Sequence, residues 1–406
     1  MPAAGKIIRF LTCLCVVSAL ACKESDFNST HWKQPIFASG SNDSQAMGKH
    51  INLNPDSCGS CHTEQYRFWK ESHHRGAISS GVLWQLPKLG QKSSDSCFSC
   101  HSPLQESSAQ IKKNLGWISE NSGPASNNEM REINEVGITC ASCHVRNLVW
   151  FGPPPQAKTT IVDTSPHNGF IVKEEFESSL FCKTCHESPE GSNKINDKKM
   201  METFSEWEKS KFKKLNIQCQ NCHMPDRKHL WKGIHDRDFV LSGIGTQINF
   251  KDLGDKLQII ATITSTNVGH RFPTYSIPKI YLKLVLIDKD NSLTILDDSV
   301  IGRLMDIDLK TEFYDTRLNP GESVILTSTL EKKLIKKDSF VQFEGIVQPD
   351  ELYERMFEFN VEQKEVLGHS KETVLQIGEA LLQKKKSRYT LFHLERSLPK
   401  LTVPSQ

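Results

Sequence analysis

No run of apolar residues in this chain is long enough to cross a lipid bilayer as a helix. Charge of one sign is lacking too: 50 Lys and Arg stand against 48 Asp and Glu, a net charge of +2. That balance argues against nucleic acid or a strongly charged partner. Apolar residues make up only 37% of the 406 positions, low against ordinary globular usage. A chain this poor in core-forming side chains needs another source of buried apolar surface.

The cysteines supply the explanation. Of 13, ten fall into five Cys-X-X-Cys-His strings. These are Cys58, Cys61 and His62; Cys97, Cys100 and His101; Cys140, Cys143 and His144; Cys182, Cys185 and His186; and Cys219, Cys222 and His223. The string is the attachment signature of haem c. Two thiols form thioethers to the porphyrin, and the histidine becomes an axial ligand. On a helix the positions i, i+3 and i+4 share one face. Paired cysteines also build zinc tetrathiolates, but those need no histidine after every pair. Five covalently attached haems are expected, and their porphyrins provide the missing apolar surface. No Cys-X-X-Cys-Lys string occurs.

Lys6 and Arg9 precede an apolar run, Phe10 to Ala21, of signal-peptide length. It ends Ala19-Leu20-Ala21-Cys22. Removal of residues 1–21 would take away Cys13 and Cys15 and leave Cys22 as the one thiol outside the motifs. An acylated Cys22 would anchor the chain to a membrane without a spanning helix. The expected place is the periplasmic side of a bacterial membrane, with a soluble periplasmic protein as the alternative. Haem attachment of this kind is completed outside the cytoplasm.

Residues 22–49 read as a polar tether in which His31 is solvated, and residues 50–240 as a pentahaem domain. The motifs begin at 58, 97, 140, 182 and 219, without a solenoid repeat between them. Thr63 to His73 and Lys198 to Lys213 look helical, and Pro153-Pro154-Pro155 stops any helix after the third motif. From Lys256 the texture changes. Lys256–Val268, Ile280–Ile287, Ser323–Leu330 and Phe340–Val347 are rich in Ile, Val, Leu and Thr, with polar turns between some of them. An antiparallel β-sandwich-like domain is expected over 241–365, then a helix at Lys371–Lys386 and a tail to 406. The helix ends in Lys384-Lys385-Lys386, read as a solvated terminus. The fold class is α+β.

The sixth position of each iron decides the chemistry. A second strong ligand leaves an iron that only passes electrons; an open one admits substrate. His74 is the strongest candidate, ahead of the adjacent His73. His235 and His229 flank Leu230–Ile234 soon after the fifth motif. His270 sits in GHRFPTY between β segments, His167 lies in SPHNGF, and His50 just precedes the first motif. His369 and His393 read as structural. Met47, Met200 and Met201 are the sulfur alternatives.

CGSCHTEQYRFWKESHHRGA (58–77), CFSCHSPLQE (97–106), GITCASCHVR (137–146), and FSEWEKSKFKKLNIQCQNCHMP (204–225) with HLWKGIHD (229–236) resemble multihaem cytochromes of the c-554 type. The likeness covers roughly residues 50–240. It implies that His74, closing the string Tyr66-X-X-Trp69-X-X-Ser72-X-His74, is a distal haem ligand. GHRFPT and DTRLNPGE (315–322) resemble the β domain appended to some bacterial multihaem cytochromes, which implies that His270 returns to a haem. The chain departs from the four-haem members by one extra motif.

The expected function is electron transfer between a quinol-linked or periplasmic donor and a terminal reductase, a carrier rather than an enzyme. The alternative is an oxidoreductase with one open haem acting on a small nitrogen or sulfur oxyanion. The β domain as a docking module is compatible with both.

Overall fold

The computed structural model describes residues 27–34, 36, 53–119, 137–156 and 169–399. The signal-like segment with Cys22, and His50, His167 and Met47, lie outside the described residues. Among the described residues, no helix is long and apolar enough to cross a membrane. The architecture is mixed α+β: short helices and irregular chain as far as Ser242, then mainly strands.

Each motif sits on a helical turn. Cys58 lies in Pro55–Gly59, and the other four strings close or fill Leu86–His101, Cys140–His144, Ser179–His186 and Cys219–His223. The helix after the first motif is Thr63–Lys70, shorter than the pattern suggests. The expected helix over Lys198–Lys213 is two, Thr203–Glu208 and Lys211–Lys214. Ser210 separates them: its backbone is extended, and its hydroxyl accepts from Phe212 N and donates to Trp207 O. A serine that caps in this way outcompetes helix continuation. After the third motif, strands β1 (Val145–Arg146), β2 (Val149–Gly152) and β3 (Ile171–Val172) form a small sheet. Asn147 and Leu148, both at positive φ, make the β1–β2 turn.

The remaining strands are β4 (Ile244–Asp252), β5 (Lys256–Ser265), β6 (Lys279–Ile287), β7 (Leu293–Ile301), β8 (Arg303–Met305), β9 (Glu312–Asp315), β10 (Ser323–Glu331), β11 (Phe340–Gln348) and β12 (Tyr389–Ser397). Two antiparallel sheets, ordered β10-β5-β4 and β12-β11-β6-β7, face each other. In β5, Leu257, Ile259, Ala261 and Ile263 are buried at every second position. Ile259, Ala261 and Ile263 belong with Leu282, Leu284, Val341 and Phe343 of the second sheet to one shared core. The part that carries the motifs has only small apolar clusters, such as Ile78, Val82, Leu86, Phe98 and Ile111.

The helix Lys371–Lys386 packs Ile377 on Met356 and Phe357 of a second helix, Glu351–Glu362, and leaves Leu375 and Leu382 exposed. It is not the last element, because β12 follows and pairs with β11. Lys385 and Lys386 are solvated as expected, Lys385 in a surface pair with Glu358, while Lys384 is turned inward to Asp350.

Part of the expected tether is ordered. Phe27–His31 is a helical turn, and His31 is 1% exposed instead of solvated. Its ring lies among Phe27, Trp32, Phe151, Phe176 and Phe181, and its Nε2 meets the Cys143 carbonyl at 2.9 Å. The polar average of the segment hides three rings in a row of six residues, enough to bury one turn.

The two parts are joined by charge. Glu206 accepts from Arg271 N (3.0 Å) and Thr274 Oγ1 (2.7 Å) and pairs with Arg317, whose side chain is 1% exposed. Arg317 also binds Asp315, and Lys198 reaches Glu312 and Asp315. Removing one partner of a buried pair strands the other charge. Arg317→Met is therefore expected to cost about 3 kcal/mol, measured as a fall in the denaturation midpoint; an unchanged midpoint would show that the junction does not depend on this network.

Candidate functional site

The helical turns bring cysteines of different motifs together. The Cys58 thiol is hydrogen-bonded with Cys140, Cys100 with Cys185, and Cys182 with Cys219. These bonds draw Cys100 and Cys219 down to about 7, while Cys140, Cys182 and Cys185 are pushed up. The first motif thus abuts the third, and the fourth abuts both the second and the fifth.

The histidines carry the clearest geometry. Two imidazoles on one iron, each about 2 Å away along its axis, have ring centres about 6 Å apart. Three pairs stand at that separation: His74 and His186 at 6.1 Å, His144 and His229 at 6.2 Å, His223 and His270 at 6.3 Å. Each pair joins one motif histidine to one candidate distal histidine. The second nitrogen of most of these rings is anchored: Nδ1 of His144 meets Phe151 O at 2.9 Å, His229 meets Arg227 O at 2.9 Å, His223 meets Lys232 O at 2.8 Å, and His270 meets Arg271 O at 2.8 Å. An Nδ1–H that donates to a carbonyl fixes the tautomer and leaves the Nε2 lone pair for a metal. Burial also holds these rings neutral, with His186, His223 and His229 lowered to about 4 and His74 to about 3. Neutral imidazole is the form that ligates iron.

The residues therefore fit a haem. Among the described residues, no group of three or more His, Cys, Asp or Glu converges as a metal site of its own. A zinc tetrathiolate needs four such groups, whereas a porphyrin brings its own nitrogens and asks the chain for only two axial ligands. His101 also has its Nδ1 on a carbonyl, Ala77 O at 2.8 Å, and no histidine ring stands opposite it among the described residues.

Local packing places His74. Trp69 Nε1 donates to Ile138 O at 2.7 Å, and Ile138 N to His74 O at 2.8 Å. Gly137 lies so close that a Cβ there would be 2.3 Å from Arg75 O and 2.7 Å from His74 O. The same device recurs at the fifth motif: Trp207 Nε1 donates to Ile217 O at 2.9 Å, and Ser210, like Ser72, donates back to its tryptophan's carbonyl. In both copies the tryptophan grips the residue two positions before the first cysteine. Phe212 stands where the first copy has His74.

His235 is placed differently from the expectation. Its Nε2 lies 3.2 Å from Asp350 Oδ2, and its ring is 4.3 Å from His73, too near for an iron between them. The buried carboxylate of Asp350, held low by its charged and hydrogen-bonded neighbours despite burial, claims this imidazole. His369 and His393 hydrogen-bond to Asn360 and Glu395. Two residues escaped the sequence reading. Trp231 packs against both His74 (4.5 Å) and His229 (4.9 Å). Arg146 is 2% exposed, gives its protons to the carbonyls of His31, Ala141, Ser142 and Val145, and lies over Trp32. Burial lowers it only to about 10, so it stays cationic.

No family model matches the chain, and no curated protein matches it. Among solved structures, a penta-haem cytochrome c552 from Thermochromatium tepidum is similar in fold, with a TM-score of 0.54 and 16% identity over 84% of this chain and 98% of that one. A β-glucosidase from Paenibacillus barengoltzii matches 26% of this chain and 12% of its own, with a TM-score of 0.13, too little to bear on the fold. The likeness to the cytochrome is one of fold.

Gly137→Ala is expected to push His74 away from His186. In protein carrying its haems, about one iron would turn high-spin in the electron paramagnetic resonance spectrum. Retention of the wild-type spin state would show that the loop adjusts without moving His74.

Proposed function

We propose that the chain is an exported multihaem c-type cytochrome that passes electrons between a quinol-linked or periplasmic donor protein and a terminal reductase. Five haems would be bound by the cysteine pairs 58/61, 97/100, 140/143, 182/185 and 219/222. The observation that carries this reading is the set of three histidine pairs at iron-bridging separation. On it, His186 pairs with His74, His144 with His229, and His223 with His270. His50 and His167 are the candidates left for the irons on His62 and His101. Each haem supplies a one-electron couple, iron(III) to iron(II). The chain's residues would supply two ligands to each iron, exclude substrate from it, and keep the potentials below those of histidine–methionine pairs.

The thiol contacts support an order along the wire. A thioether marks the porphyrin edge, so the haem of the first motif would adjoin that of the third, and the haem of the fourth would adjoin those of the second and fifth. An acyl group on Cys22 would hold the assembly at a membrane surface. A second reading has one support: His101 faces no histidine among the described residues. An open iron there would make the chain an oxidoreductase for a small nitrogen or sulfur oxyanion.

Low-temperature electron paramagnetic resonance of the oxidised protein, quantified against total iron, separates the two. The carrier predicts low-spin signals alone. A high-spin fraction near one iron in five would reject it in favour of the oxidoreductase. His270→Ala is expected to convert one low-spin haem to high-spin and to loosen the β-rich part. An unchanged optical spectrum would remove His270 from the ligand set.

A further inference from the structure

The three histidine pairs are not held alike. In the pairs His144–His229 and His223–His270, all four rings place Nδ1 on a main-chain carbonyl, at 2.8–2.9 Å. The pair His186–His74 has no such contact. His186 Nδ1 meets the hydroxyl of Tyr275 at 2.6 Å instead. His74 Nδ1 is buried without a hydrogen-bond partner.

This difference is electronic as well as structural. A carbonyl oxygen draws the Nδ1 proton, gives the ring imidazolate character and makes it a stronger donor to iron(III). A phenol oxygen is a weaker acceptor because its lone pair is shared with the ring. A phenol keeps its proton at neutral pH, so Tyr275 acts as a neutral hydroxyl and not as a phenolate. Reduction adds one electron to the iron and neither forms nor breaks a bond. A poorer donor set disfavours iron(III) and so raises the potential.

We propose that the iron between His186 and His74 has the highest potential of the three bis-histidine irons, and that Tyr275 is the positioning residue that sets it through His186. The proposal rests on the haem reading above. It makes this iron the electron's resting place at the branch of the wire, because the fourth motif abuts both the second and the fifth. It also gives the β-rich part an electronic role: the loop that carries His270 toward one iron carries Tyr275 toward the ligand of another.

The test is potentiometric titration of the haem-loaded protein, followed by electron paramagnetic resonance, for wild type and Tyr275→Phe. In wild type, the low-spin signal whose g-values change in Tyr275→Phe should disappear on reduction before the two signals that are lost in His229→Ala and His270→Ala. Loss of the acceptor should favour the reduced form of that one haem several-fold, up to about tenfold, or about 59 mV for one electron. The other haems should not move. Thr203→Val removes the side chain hydrogen-bonded to the tyrosine hydroxyl. It should shift the same signal the same way by less, which keeps the test available if Tyr275→Phe folds poorly. Unmoved potentials in both variants, a downward shift, or a change confined to a haem that reduces after either of the other two bis-histidine haems would overturn the proposal. Protein that carries no covalent haem by intact mass would instead overturn the function on which it rests.

Discussion

Holding two imidazoles about 6 Å apart, coaxial and with the right nitrogen free, is a severe demand on a backbone. In this chain main-chain carbonyls meet it for the rings of two pairs and for His101. His144 uses a carbonyl seven residues on, and His223 one nine residues on. To present these two, the chain must double back directly after the third and fifth motifs, and it does so through residues at positive φ: Asn147 and Leu148 after the third motif, Asp226, Arg227 and Trp231 after the fifth. Such returns forbid long helices. The short helices and small apolar clusters of this part follow from that constraint, and the flat, apolar groups proposed between the histidines would complete a core that the side chains alone leave thin.

The β-rich part is built on the opposite principle, a single core between two sheets, with alternation clearest along β5 and β11. The two parts meet where a helix-borne carboxylate, Glu206, is ringed by donors from the β side: Arg271 N, Thr274 and Arg317. The segment from Gly269 to Ser276 lies over this carboxylate. The ion network therefore does more than bind two surfaces, because it sets the height at which His270 and Tyr275 enter the other part. Gly269 belongs to the same fit, since a Cβ there would already touch Trp207 at 3.4 Å and Phe212 at 3.6 Å.

Much of this was legible in the residue string. The attachment motifs, the four expected strands β5, β6, β10 and β11, and the Lys371–Lys386 helix all stand where composition and spacing put them. Of the strands that escaped notice, β8 and β9 are short, and β4, β7 and β12 are sheet edges carrying Gln, Lys, Asp, Glu and Arg, polar because an unpaired edge must resist further pairing. His31 was misread because three aromatic rings were averaged into a polar stretch. His229 and His235 look alike in sequence, six residues apart around the same apolar run, and only the folded chain shows Asp350 claiming one of them. Which distal ring faces which motif ring is a distance between remote segments, and no local pattern encodes it.

The position of His270 and Tyr275 along the chain has a temporal consequence. The cysteines of all five motifs, and the histidines beside them, leave the ribosome before either residue does. On the haem reading proposed above, attachment could begin on a chain that has not yet made His270, and the iron site that His270 would complete could close only once the β sheets have formed. The β-rich part would then act as a late lock on maturation: a chain halted beyond the fifth motif would carry one incompletely ligated haem, and so be distinguishable from the finished protein.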